Sequence, residues 1–346
     1  MIIYVLMYLV PLCFSLCSDN LDKKVKKLFW LIFGVVLTLI IGLRHEIGVD
    51  WQAYIRHYDV TVNAKLEDVI FTSDVAYATL NWAVAMFSGK VYTVNLLCSI
   101  VFVCGLISFC QKQRSPGIAF LVALPVLVLI VGMSYTRQSV AVGLEMFALS
   151  ALIEEKNMKY FFLILMASLF HFSAVFMLSL LAFVLVRNNF FIGLCLVLLL
   201  CLVALSFIFQ SREALIELYY NQKLSSDGGI YRISLNLIPA LCVLFFLNKS
   251  KLNMLEYRTW QILSVMSLLF FPLIMIMPTA TDRLFIYLLP LQIFVYSNLR
   301  LWFINKYVIF VLGFCIVLSQ FFLMTVWLLY GTYHDFWVPY EMFPFC

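Results

Sequence analysis

Charge is the first thing this sequence lacks. Of its 346 residues only 12% are Asp, Glu, Lys or Arg and 64% are hydrophobic, against roughly 25% and 45–50% in a soluble domain. Mean hydropathy is +1.02, so water is excluded as the solvent for most of the chain. Metal-binding patterns are lacking too. The ten cysteines fall almost entirely within apolar runs, with no CxxC pair and no Cys/His cluster at zinc spacing. They read as small buried hydrophobes, and no metal is expected. There is no P-loop and no DxD-like sequence, so nothing points to ATP or to a metal-held nucleotide, and no cofactor is expected. The net charge of +5 comes largely from short basic loops, which argues topology rather than a nucleic-acid partner.

What is present is a series of uncharged runs, such as 28–43, 91–110 and 307–330, long enough to cross a hydrocarbon layer about 30 Å thick. In lipid such runs must be helical, because only a helix satisfies its own backbone. The expected fold is therefore all-α: a polytopic integral membrane bundle of about 10–12 transmembrane helices, forming a single transmembrane domain over 1–346. Lys23, Lys24, Lys26 and Lys27 mark the first loop as cytoplasmic, since cationic loops resist translocation, and the amino terminus then starts outside. The same rule places 111–116, 154–159, 187–189, 248–258 and 300–306 inside. It places 44–74, 133–137, 210–231, 278–283 and the tail from Gly331 outside.

Two segments break the alternation. The run from Asp74 to Ser88 is apolar but short, and reads as an interfacial or re-entrant helix. The run from Tyr160 to Val186 is too long for one span and must turn back near His171 as two short helices, of the kind that line cavities.

The outer segments hold most of the chemistry that could act on a substrate. In LRHEIGVDWQAYIRHYD, Leu43 to Asp59, helical spacing puts Asp50, Tyr54 and Tyr58 on one face, with Trp51 and Ile55 turned to the membrane interface. Arg44 is either a snorkelling helix-end side chain or a ligand-binding one. In SYTRQSVAVGLEMF, Arg137 lies between apolar segments on the side opposite the basic loops; it needs an anionic partner, and Glu145, two turns on, is a candidate. His171 is either an interhelical hydrogen-bonding group or a base. Arg232, Asp282 and Arg283 form ion pairs or caps, or face a ligand. Arg44, Arg137, Arg232 and Arg283 all fall on one side, and together they describe an outward-facing cationic cavity suited to a diphosphate, whose oxygens the guanidinium fork binds in pairs.

The same residues resemble the EpsG family. Arg44, Gly48, Asp50 and Tyr54 match its pattern after an early span. Arg137, Gln138, Lys156, Lys159 and Leu169 to Ser173 match the later one. The resemblance implies a Wzy-type glycosyltransferase of the bacterial inner membrane, joining undecaprenyl-diphosphate-linked oligosaccharide repeat units into O-antigen, capsule or exopolysaccharide at the periplasmic face. A flippase and a chain-length regulator of the same pathway would be its partners, with the bilayer around it. The expected substrate-binding set is Arg44, Tyr54, Arg137, Gln138, Arg232, Asp282 and Arg283. Asp50 and His171 are the candidate bases, with Glu46 and Asp282 behind them. A lipid-linked repeat-unit flippase or an O-antigen ligase would share many of these features.

Overall fold

Lipid gives a backbone no hydrogen-bond partner but itself, and the chain answers with helices almost throughout. The computed structural model describes residues 1–18, 21–72, 74–186, 228–275 and 277–345. The helices are α1 (Ile2–Cys17), α2 (Lys23–Gly42), α3 (Trp51–Val62), α4 (Leu66–Ile70), α5 (Val75–Met86), α6 (Val91–Gln111), α7 (Pro116–Ala123), α8 (Thr136–Ile153), α9 (Asn157–Phe170), α10 (Leu178–Val186), α11 (Gly229–Ser234), α12 (Leu237–Phe246), α13 (Met254–Leu273), α14 (Pro278–Phe285), α15 (Pro290–Ser297) and α16 (Lys306–Tyr330). Two short strands, β1 (Arg44–His45) and β2 (Glu341–Met342), pair antiparallel.

Among the described residues, four helical segments are long and apolar enough to cross a membrane: Lys23–Gly42, Val91–Gln111, Gly229–Phe246 and Lys306–Tyr330. Five further apolar segments have 10–17 residues. Both ambiguous runs resolve as short pieces. α5 has 12 residues, about 18 Å of helix, too little to span. α9 stops at Phe170, and a 3₁₀ turn over Phe172–Met177 leads into α10. The Tyr160 hydroxyl donates to the Met177 carbonyl at 2.6 Å, so the chain does fold back after His171. The expected inner turn at 187–189, and 210–227 of the expected outer loop, lie outside the described residues.

The chain divides into two compact units. The first comprises Met1–Phe147, Met166–Phe172 and Tyr296–Cys346, the second Ala148–Leu165 and Ser173–Val295. In the first, α6 and α8 approach so closely at Gly105 and Gly143 that a Cβ on either would strike the other helix's backbone, the small-residue packing usual between helices in lipid. α7 continues into a π-helix over Leu124–Gly132, every residue of which is buried. The Leu129 carbonyl in it accepts a hydrogen bond from the Trp337 indole at 2.9 Å.

The carboxyl-terminal segment straps one end of this unit. The Tyr4 hydroxyl donates to the Trp337 carbonyl at 2.6 Å, the Tyr340 hydroxyl to the Ile40 carbonyl at 2.8 Å, and the Gly48 amide to the Phe336 carbonyl at 3.1 Å. Gly48 has a φ of 97°, a conformation that glycine adopts at little cost. Trp51, read from the sequence as an interfacial anchor, is instead 4% exposed. Its ring packs against His45 and Tyr92, because the strap and β1 cover the start of α3. At the opposite end of α6, the Arg114 amide donates to Asn298 Oδ1 at 3.1 Å, and Asn298 Nδ2 to Gln113 Oε1 at 2.8 Å.

The second unit has the same two-ended character. α12 packs on α13, with Asn236 Nδ2 donating to Ser267 Oγ at 3.1 Å and to the Leu288 carbonyl at 2.8 Å. α11 meets α14 at one end of α13. At the other, Asn253 Nδ2 donates to the Ile153 carbonyl at 3.2 Å.

Candidate functional site

Three helix ends of the first unit converge on one carboxylate. Asp74 stands immediately before α5, and its side chain makes no cap to that helix. Its Oδ2 accepts from Arg137 Nη1, in the first turn of α8, at 2.6 Å. Its Oδ1 accepts from the Phe172 amide at 3.2 Å. That amide sits where α9 breaks, so an acceptor from another element satisfies a donor at the break. His171 Nδ1 lies 3.8 Å from Asp74 Oδ2, beyond hydrogen-bond range, and both ring nitrogens are buried without a hydrogen-bond partner among the described residues. Side-chain exposure is 8% for Asp74, 12% for His171 and 32% for Arg137. The arginine alone is substantially open.

α3 supplies the aromatic wall. The Arg137 guanidinium lies 5.8 Å from the centre of the Tyr54 ring, and its amide donates to the Tyr54 hydroxyl at 3.4 Å. The Tyr77 ring is 5.7 Å from Tyr54 and 5.4 Å from His57. Helical spacing accounts for this, since Tyr54 and Tyr58 turn to the same apolar cluster with Val94, Cys98 and Val140. Burial opposes ionisation of Asp74, but His171, Arg137 and the Phe172 amide outweigh it and hold its pKa below the ordinary carboxylate value. For His57, burial and then the Arg137 cation lower the pKa, against a smaller opposite pull from Asp74.

Arg44 has a different role from the one its position in the sequence suggests. It is 1% exposed. Its Nη1 donates to the Ile41 carbonyl at 2.6 Å, Nε to the Ile47 carbonyl at 3.4 Å, and Nη2 to Thr136 Oγ1 at 2.7 Å. It thus closes the end of α2 and ties it to the residue before Arg137. Gln138 is buried in the same turn of α8. Asp50 is half-buried at the start of α3 without capping it.

Glu145 is not the partner of Arg137. Both its oxygens are buried without a hydrogen-bond partner among the described residues, and the ion pair goes to Asp74. In the second unit, Arg232 holds Asp282 through two bonds, Nε to Oδ1 at 2.9 Å and Nη2 to Oδ2 at 2.5 Å. Their side chains are 11% and 7% exposed. Arg283 follows on α14 and is exposed. Sequence reasoning missed Asp74, His57 and Tyr77 as site residues. The available signal for Asp74 was an acid opening a short apolar segment on the outer side.

Helices of membrane-crossing length, broken helices and a cluster of buried ionisable groups at helix ends define a polytopic helical membrane protein with a polar site. The chain belongs to the EpsG family, whose model matches residues 27–342, a family of polysaccharide-polymerase-like membrane proteins. Comparison with curated proteins and with solved structures finds no match.

Proposed function

We propose that this protein is a glycosyltransferase of the inner membrane that polymerises undecaprenyl-diphosphate-linked oligosaccharide repeat units at the periplasmic face. One observation carries the reading: Arg137, a third of its side chain open, stands beside a histidine whose buried ring nitrogens have no hydrogen-bond partner among the described residues. An open guanidinium suits a phosphate, and an unengaged imidazole suits a hydroxyl proton. Loop charge supports the orientation. The cluster shares its end of the unit with residues 1–4, 44–51 and 331–345, and the opposite end carries the basic loop at Lys112 and Arg114.

In the reaction, the hydroxyl oxygen of the acceptor sugar bonds to the anomeric carbon of the chain on the donor lipid. The bond from that carbon to the diphosphate oxygen breaks, and its electron pair leaves on the diphosphate. Arg137 stabilises that charge, and His171 Nε2 takes the hydroxyl proton. Tyr54 keeps the guanidinium in place through its ring face. Arg44 positions α8 against α2 without touching substrate.

The test is a gel of surface polysaccharide from a strain lacking the protein, complemented with wild type, Arg137→Ala or His171→Gln at equal membrane levels. A single-repeat product in place of the ladder is the expected result for both variants. An unchanged ladder overturns the site. Loss of the single-repeat product on deletion points instead to a flippase or a ligase.

A further inference from the structure

Asp74 faces three donors and, where Arg137 and the Phe172 amide hold it, reaches only two of them. Oδ1 is taken by the Phe172 amide. Oδ2 accepts from Arg137 at 2.6 Å, and the His171 Nδ1 stops 3.8 Å from the same oxygen. A hydrogen bond there needs about 2.7–3.2 Å. Leaving a buried imidazole nitrogen without a hydrogen bond is costly, and an arrangement that brings Oδ2 within reach of Nδ1 removes that cost. Of the three side chains, Arg137 is the most exposed, and it is the one with an alternative partner if a diphosphate arrives.

We propose that Asp74 is a shared carboxylate: a diphosphate drawing Arg137 away releases the side chain from the position in which Arg137 holds it, so that Oδ2 closes the 3.8 Å gap and accepts the His171 Nδ1–H, which fixes the ring with Nε2 free to take the acceptor's proton. The proposal rests on the diphosphate reading of the site. Asp74 is then a positioning residue. The exchange replaces one charge-assisted hydrogen bond of Arg137 with another to a phosphate oxygen, and adds the one His171 lacks. Which imidazole nitrogen carries the proton is set by the bond the other makes. The base is therefore assembled by the donor that it serves, and without donor its proton-accepting nitrogen is not fixed.

The full chain has only four histidines, so isotope-labelled histidine gives a readable nitrogen spectrum of the protein in nanodiscs, with His171 assigned by His171→Gln. The probe is geranylgeranyl diphosphate, and geranylgeraniol is the control without phosphate. Quenching of tryptophan emission follows binding. In wild type the diphosphate should move the His171 proton to Nδ1 and the alcohol should not. Arg137→Ala should show the Nδ1–H form with no probe. Asp74→Asn, which keeps an oxygen for the Phe172 amide, should show it under neither condition, and neither should Arg137→Ala combined with Asp74→Asn. A bound diphosphate that leaves His171 unchanged overturns the proposal, as does a full response in Asp74→Asn or an unchanged ring in Arg137→Ala. If the diphosphate fails to bind while Arg137→Ala still gives the Asp74-dependent form, the shared carboxylate stands and the diphosphate reading falls.

Discussion

Each unit contains an ion pair of an arginine with a buried aspartate, and the pairs differ in how completely the arginine is used. Arg232 gives Asp282 both Nε and Nη2 and is 11% exposed, whereas Arg137 gives Asp74 a single bond from Nη1 and is 32% exposed. The first geometry is a closed fork. The second leaves a guanidinium edge open and a histidine just out of reach of the carboxylate. A buried arginine in a membrane protein is thus not in itself a ligand site; what matters is which of its donors the fold has already spent.

The largest effect expected from this contrast is on activity. Arg137→Ala should lower polymer formation by about 10²–10³-fold, the cost of removing one donor aimed at developing charge, and should cost less stability than stranding Asp282, because Asp74 keeps the Phe172 amide. Arg137→Lys should fall between, because an ammonium keeps the charge and loses the fork. In vitro transfer with purified protein measures both.

Arg232→Ala should act on stability instead. Stranding a buried carboxylate costs about 3–5 kcal/mol, and replacing the pair jointly, Arg232→Met with Asp282→Leu, should recover most of it. Unfolding in detergent reads this directly. A loss of transfer per folded molecule as deep as that of Arg137→Ala would place the closed pair back among the substrate ligands and end the contrast.

Arg44 sharpens the comparison from a third direction, since its donors are spent on two carbonyls and a hydroxyl rather than on an acid. Arg44→Met should destabilise the first unit by roughly 2–4 kcal/mol, mostly through the buried carbonyls left unpaired. Transfer should fall only as far as α8 shifts. Hydrogen exchange at the start of α8 would locate the damage.

How much of this was legible beforehand depended on the range of the interaction concerned. Loop charge alone grouped the segments that share an end. Residues 44–51 meet the tail, Arg114 meets Asn298 beside the 300–306 loop, and Asn253 meets Ile153 beside the 154–159 loop. The break at His171 was legible as well, because an apolar run of that length cannot be one span. Partners were not legible. Local helical spacing offered Glu145 to Arg137, and the fold supplied Asp74 from 63 positions away. The strap of 331–345 carries no periodicity, so neither the burial of Trp51 nor the π-helical carbonyl that receives Trp337 could be read from it. Arg44 looked like an outer-face ligand because sequence gives the side a residue lies on but not its depth.

The smallest effect lies in the pH dependence of stability, and only the open site should show it. His57 faces Tyr77, Thr61, Arg137 and Asp74, and burial followed by the Arg137 cation lowers its pKa from the ordinary 6.5. The folded state therefore favours neutral imidazole. Its contribution is fully present above about pH 6.5 and is lost as pH falls through the lowered value, because the unfolded chain takes up the proton first. His57→Gln should flatten the loss of stability on acidification below about pH 6.5, while the Arg232→Met, Asp282→Leu double variant, which changes no histidine, should leave that slope as in wild type. Arg137→Ala should flatten it partly, since the cation next to His57 is gone and burial remains. Unfolding midpoints across that range for the four proteins decide it. Equal slopes in wild type and His57→Gln would mean that the imidazole beside Arg137 is as well solvated as in the unfolded chain, and that the open edge of the site is wetter than its buried walls imply.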